Sequence, residues 1–244
     1  MRSVTTPLSS AAPHTLSSAE RAQLAQSVLR PLHTARNSTK AHVSLVEWPP
    51  DSGRQVVIKD GRNLVWWFRL FIWRHQLYRE WKALRYLSGT GGTPEPLFRV
   101  GADAIAMELC PGESLLRYTP EDMPPSVIES LARLMILFHE ERGVTHCDLH
   151  RDNVLYDEAT GRVTVIDWAT SCSFGTPRHG WKAWAWHEWE ALDIRAIAKI
   201  KMRYAPQLMT DRERDVLENG GTLIAGMVRR VGAFFKRRKR TPKS

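Results

Sequence analysis

The sequence predicts an α+β chain in two lobes, a small antiparallel sheet followed by a mostly helical part. Three observations carry that expectation. Residues His42 to Trp48 alternate apolar and polar, Pro49-Pro50-Asp51-Ser52-Gly53 has turn chemistry, and Gln55-Val56-Val57-Ile58-Lys59 resumes as a strand. Pro125 to Arg142 carries Val127, Leu131, Leu134, Met135 and Phe138 on one helical face. From Trp181 onward the pattern is helical again, interrupted at Pro206 and at Asn219-Gly220-Gly221.

Taken in order, Met1 to Pro13 is rich in Ser, Thr, Ala and Pro with no apolar core, so it reads as a disordered leader rather than a secretory signal. Ser17-Ser18-Ala19-Glu20 has the form of a capping box, and Leu24, Val28 and Leu29 follow at helical spacing until Pro31 ends the helix. Leu64 to Leu87 is helical in pattern, with Glu80 in its later half. After the break at Gly89 to Pro96, Leu97 to Val100 and Ala104 to Leu109 read as a strand pair. Val144 to Asn153 reads as a loop, and Val154 to Tyr156 and Val163 to Ile166 as a strand hairpin that ends on Asp167. The expected organisation is a leader over 1–16, a sheet lobe with an N-terminal helix over 17–110, a helical lobe over 111–235 and a basic tail over 236–244.

Bulk composition narrows the function classes. A chain of 244 residues with 43% hydrophobic residues can bury a sizeable core without staples. Cys110, Cys147 and Cys172 form neither a CxxC pair nor a disulfide framework, which points to a reducing compartment. The longest strongly apolar stretch, Leu64 to Trp73, is interrupted by Arg69 and is about half the ~20 residues a membrane span needs. The net charge of +9 favours anionic partners, and the run Lys236 to Arg240 contributes much of it. No motif that reads nucleic acid sequence accompanies that charge, so no specific nucleic-acid partner is expected.

The most informative run is His146-Cys147-Asp148-Leu149-His150-Arg151-Asp152-Asn153, followed fourteen residues after Asn153 by Asp167. Its H-x-D-L-x-x-x-N spacing, the strand hairpin and the aspartate behind it resemble the catalytic and metal-binding loops of the protein-kinase-like superfamily. The resemblance implies a two-lobed kinase-like fold, and ATP and Mg²⁺ as co-substrate and cofactor. It implies Asp148 as the carboxylate that receives or orients the acceptor hydroxyl, and Asn153 and Asp167 as the oxygen ligands of the metal. It further implies that Lys59, on a strand 21 residues before Glu80, holds the α- and β-phosphates while Glu80 orients it through an ion pair.

The departures are equally specific. Asp167-Trp168-Ala169 stands where a protein kinase has DFG, no APE follows, and the candidate phosphate turn Asn37-Ser38-Thr39-Lys40-Ala41 has no glycine. The chain thereby resembles the small atypical branch: bacterial lipopolysaccharide core-sugar kinases, RIO-like kinases and, through Asp148-Leu149-His150, aminoglycoside and choline phosphotransferases. The chain is short for the acceptor-binding insertions of the aminoglycoside enzymes. The expected activity is therefore transfer of the γ-phosphate of ATP to a hydroxyl, with a lipopolysaccharide core sugar as the favoured acceptor. A RIO-like protein serine/threonine kinase and a nucleotide- or membrane-binding pseudokinase are the alternatives.

Other features have competing readings. His146 and His150 lack the second ligand pair of a structural zinc site, and His146 is expected to pack beneath the loop. Trp181, Trp184, Trp186 and Trp189 suit either core packing or stacking on a sugar, with packing favoured. Asp193 resembles the helix aspartate that braces the kinase catalytic loop, or is an ordinary helix charge. Trp66-Trp67-Phe68-Arg69-Leu70-Phe71-Ile72-Trp73-Arg74, and Phe234-Phe235 before the basic tail, have the composition of an interfacial contact. The expected location is cytoplasmic, with peripheral contact at an anionic inner membrane.

Overall fold

The computed structural model describes residues 14–33, 41–175 and 179–218. The leader before His14, the candidate phosphate turn over 37–40, the last helix expected after Gly221 and the basic tail lie outside the described residues. Contacts divide the chain into two units, residues 1–74 with 96–109, and residues 75–95 with 110–244. The segment 75–95 thus groups with the second unit rather than with the sheet.

In the first unit, Ser17 caps α1 (Ser18–Gln26): its hydroxyl accepts from the Glu20 amide at 3.3 Å, and the Glu20 carboxylate accepts from the Ser17 amide at 2.7 Å. The expected continuation to Pro31 does not form. The chain leaves the helix at Ser27 and runs as a strand, β2 (Val28–His33), because Leu24 is the one buried residue of α1 and Val28 and Arg30 find ladder partners in Val46 and Leu45 instead. Those partners lie on β3 (His42–Glu47), which pairs in turn with β4 (Gln55–Asp60). Pro31 is tolerated because β2 is the edge strand, where a missing amide interrupts no second ladder. With β1 (His14–Thr15), β5 (Pro96–Arg99) and β6 (Ala104–Glu108), the sheet has the order β1-β5-β6-β4-β3-β2, antiparallel except where β1 adds to β5.

Alternation along β4 decides where Lys59 stands. Val56 and Ile58 are buried in an apolar cluster with Leu24, Val46 and Phe98, so Lys59 projects from the opposite face of the sheet, between its ladder partners Val43 and Ile105. Beyond β4 the chain enters a helical stretch, α2 (Trp66–Phe68), a wide π-type turn at Arg69–Trp73, and α3 (Arg74–Leu87). The Trp73 indole is buried and donates to the Asp103 carbonyl at 2.9 Å, and Arg74 pairs with the Asp103 carboxylate at 2.7 Å. Gly61 leaves room for that indole, which a Cβ there would overlap. Trp66, Trp67, Leu70, Phe71 and Ile72 stay exposed, so the apolar run has one core tryptophan and five outward residues.

The second unit is built on α3, α4 (Pro125–Ile136) and the long α5 (Trp181–Tyr204), with α6 (Asp211–Glu218) at the end. A π-type turn at Leu137–Glu141 extends α4, and Val127, Leu131, Met135 and Phe138 are buried as their spacing predicts. Between α4 and α5 lie four short strands, β8 (Val144–Thr145), β9 (Val154–Asp157), β10 (Arg162–Val165) and β11 (Cys172–Ser173). β9 and β10 form an antiparallel hairpin, joined at its edge by β7 (Glu113–Ser114), and β11 pairs with β8. The four tryptophans of α5 divide: Trp186 is buried, Trp189 is half-buried, and Trp181 and Trp184 are 73% and 59% exposed. The expectation of core packing therefore fails for Trp181 and Trp184, which sit in the first turn of α5, ahead of its buried face.

Candidate active site

The loop after β8 is shaped by one buried carboxylate. Asp193, fully buried on α5, accepts from the His146 amide at 2.7 Å, the Cys147 amide at 2.8 Å and His139 Nε2 at 3.0 Å. Three N–H donors offset the cost of burying that charge. They also hold Cys147 at φ 69°, a left-handed conformation a non-glycine residue adopts only when its surroundings over-determine it. Of the two readings of Asp193, the brace is the one the geometry bears out.

The turn at Cys147 leaves the Asp148 side chain exposed and the His146 ring buried beneath it. His146 Nδ1 accepts from the Asp148 amide at 3.3 Å and Nε2 donates to the Ile166 carbonyl at 2.9 Å, a pairing that requires the proton on Nε2. Asn153 closes the loop: its Nδ2 donates to the Asp148 carbonyl at 3.0 Å, and its own carbonyl accepts from the Ile166 amide at 2.9 Å. Both polar groups of the Ile166 backbone are therefore fixed by the 146–153 loop. The next residue, Asp167, is left-handed at φ 62°. Hydrogen bonds thus link Asp148 to Asn153 and Asn153 to the Ile166 peptide, which Asp167 directly follows.

Asp167 is anchored from behind by Trp168. That indole is fully buried, donates to the Val165 carbonyl at 2.9 Å, and packs against Phe138 and His146 with ring centroids 5.3 and 4.7 Å away. The following residues are held by Arg79 of α3, whose Nε donates to the Ser171 carbonyl at 2.7 Å and whose Nη2 reaches the Thr170 carbonyl and the Cys172 sulfur. Lys59 stands in the first unit on β4, and Glu80 lies in the second unit, 1% exposed on α3.

Two thiols flank this arrangement. Cys147 and Cys172 hydrogen-bond to each other, and register pairs Cys172 with Thr145, whose hydroxyl is 3.2 Å from the Cys147 sulfur. The Cys147 thiol is pushed up, first by that bond to Cys172, then by burial and the Asp193 charge. Cys172 is lowered to about 7, first by the proton it accepts from Cys147 and further by the Arg79 guanidinium. Neither the thiol pair nor Arg79 was legible in the sequence: Arg79 precedes Glu80 without any pattern, and the cysteines are 25 residues apart.

Mg²⁺ prefers hard oxygen ligands and completes its shell with phosphate and water. Asn153 and Asp167 carry oxygen donors of that kind and could hold the ion; the Asn153 amide nitrogen is committed to the Asp148 carbonyl, which leaves its side-chain oxygen as the group able to ligate. Among the described residues no group of three or more His, Cys, Asp or Glu side chains is placed to hold a metal ion by itself. A braced carboxylate loop, an asparagine that closes it and a left-handed aspartate behind a strand hairpin form the candidate site.

Comparison with known proteins agrees. The phosphotransferase enzyme family, APH, is matched over residues 127–179, from α4 to the approach to α5. Mitogen-activated protein kinase kinase 5 of Leishmania mexicana is 33% identical over 107 residues, which cover 40% of this chain and 20% of that protein. The Rio2 kinase from Chaetomium thermophilum, solved as an ADP/Mg²⁺-phosphoaspartate complex, superposes with a TM-score of 0.55 at 16% identity, covering 78% of this chain and 60% of that one. The chain spans a fifth of the length of the curated relative and three-fifths of the solved one. The fold is the protein-kinase-like one, α+β with an antiparallel sheet and a mostly helical part, the fold of kinase-type phosphotransferases.

Proposed function

We propose that this protein transfers the γ-phosphate of ATP to a hydroxyl group, with a lipopolysaccharide core sugar as the acceptor. The observation that carries the transfer is the hydrogen-bonded connection of Asp148, Asn153 and Asp167 through the Ile166 peptide. Phosphoryl transfer is mainly positioning and charge stabilisation. Asp148 takes the proton of the acceptor hydroxyl as the new P–O bond forms and the bond to the β-phosphate oxygen breaks, leaving ADP. Asn153 and Asp167 hold Mg²⁺, which when bound neutralises phosphate charge. Lys59 holds the α- and β-phosphates, and Glu80 orients it.

The test is an acceptor screen with labelled ATP and Mg²⁺, offering core oligosaccharide and a Ser/Thr protein mixture in parallel. Label on the sugar supports the reading; label on protein alone replaces it with a serine/threonine kinase; no transfer to either, with nucleotide still bound, leaves a pseudokinase. Lys59→Met should lower transfer more than Glu80→Gln, and the double variant should match Lys59→Met if the two act as one unit. Strictly additive losses would separate them.

A glycolipid acceptor calls for peripheral contact with a membrane, and the exposed aromatic run Trp66, Trp67 and Phe71 beside Arg69 and Arg74 supports it. No described helix is long and apolar enough to cross a membrane. Replacing Trp66 and Phe71 by Ser should reduce sedimentation with anionic vesicles, and unchanged sedimentation would remove this part of the reading.

A further inference from the structure

A cavity of about 360 Å³ opens beside the candidate catalytic carboxylate, wholly within the second unit. Its walls come from the 147–151 loop and from α5, and Asp148, Arg151, Arg195 and Lys199 are its acidic and basic lining residues. Leu192 and Ile200 supply apolar wall. Such a combination, an apolar surface with a few charged groups, is the usual make-up of a small-molecule site.

The charges decide what fits. The lining carries three cations against the single Asp148 carboxylate. Arg151 donates to the Tyr204 hydroxyl at 3.2 Å and Arg195 to the Val216 carbonyl at 3.3 Å, both neutral oxygens, so neither charge is cancelled by an ion pair among the described residues. Those same bonds fix where the two guanidinium groups stand. Lys199 is exposed at the rim. A polycationic acceptor would meet repulsion here, and a neutral one would leave the cations unused.

We infer that this cavity receives an anionic hydroxyl compound, a sugar bearing a carboxylate or a phosphate monoester, whose charge is held by Arg151, Arg195 and Lys199 while a hydroxyl is presented to Asp148. Guanidinium groups bind both anions in two-pronged fashion, so the two sources share one recognition chemistry. The role of this compound as phosphate acceptor rests on the transfer activity proposed above. Its binding does not.

Calorimetric titration of the full chain with galacturonate, glucose 6-phosphate, glucose and kanamycin tests the inference. The two anionic sugars should bind at least about tenfold more tightly than glucose or kanamycin, the scale of one charge-assisted contact, and their ratio identifies the preferred anion. Lys199→Glu should weaken anionic binding by about tenfold, whereas Lys182→Glu, the same charge change outside the cavity, should leave it within about twofold. Lys199→Gln serves the same purpose if the reversal disturbs folding. Equal binding of glucose or kanamycin, indifference to both Lys199 variants, or displacement of the sugar by a non-hydrolysable ATP analogue would overturn the inference. Anionic binding that persists without any phosphate transfer upholds the cavity and sinks the transfer reading, and transfer without anionic preference does the reverse.

Discussion

Two non-glycine residues of the second unit share a left-handed backbone, Cys147 at φ 69° and Asp167 at φ 62°, and they are held there by different means. Cys147 is fixed electrostatically: a buried carboxylate on α5 gathers its amide and that of His146. Asp167 is fixed mainly by packing, because Trp168 is buried immediately after it and the Ile166 peptide immediately before it is bonded on both sides. The candidate catalytic or ligating side chain sits differently in each case. At the first turn it is the neighbour, Asp148, that is turned outward; at the second it is the strained residue itself. Strain of this size, of order 1–3 kcal/mol, persists only where the surroundings supply more than that. The loop that presents a carboxylate therefore depends on one residue 46 positions away, while the aspartate behind the hairpin depends on its own neighbours.

The largest expected effect separates chemistry from support. Asp167→Asn keeps the backbone and the shape, so thermal unfolding should be nearly unchanged while turnover falls by about 10²–10³-fold, the scale of losing one charge contact to the transition state. Near-normal turnover at saturating Mg²⁺ would remove Asp167 from the mechanism. Asp193→Ala should show the opposite division. It leaves two amides and His139 without their acceptor in a dry site, and denaturant unfolding should show a loss of about 3 kcal/mol, with turnover falling alongside. A variant that lost turnover at full stability would mean that Asp193 does more than brace.

Much of this was legible because it is local. The Ser17–Glu20 box, the alternation of β3 and β4 and the stripe of α4 each repeat within a few residues, and periodicity needs no knowledge of partners. The Asp148 to Asn153 spacing and its aspartate fourteen residues on were legible for the same reason. What failed was decided at a distance. Val28 to Arg30 reads as the end of a helix until β3 is there to pair with it. Trp73 and Trp66 look alike in sequence, yet one meets the Asp103 carbonyl and the other meets solvent. Arg79 and the two thiols carry no pattern at all, since their meeting depends on β11 pairing with β8.

The smallest effect probes the packed side of the comparison through Cys172, the sulfur that Arg79 reaches at 3.0 Å just beyond Trp168. Alkylation by iodoacetamide needs the thiolate, so its rate follows the deprotonated fraction. With Cys172 lowered to about 7, its labelling should rise with pH and reach half its limit near pH 7, against about 8.5 for an ordinary thiol. Cys147 is pushed the other way and should stay unlabelled through neutral pH. Arg79→Met removes the cation and frees the Thr170 and Ser171 carbonyls. The Cys172 midpoint should then move upward toward the ordinary value, and turnover should fall by about tenfold as the segment after Asp167 loosens. Mass spectrometry of labelled peptides across pH reads both sites at once. Were Cys147 labelled first, the shared proton would reside on Cys172 instead, and the Arg79 contact would have to be rewritten as one to a neutral thiol.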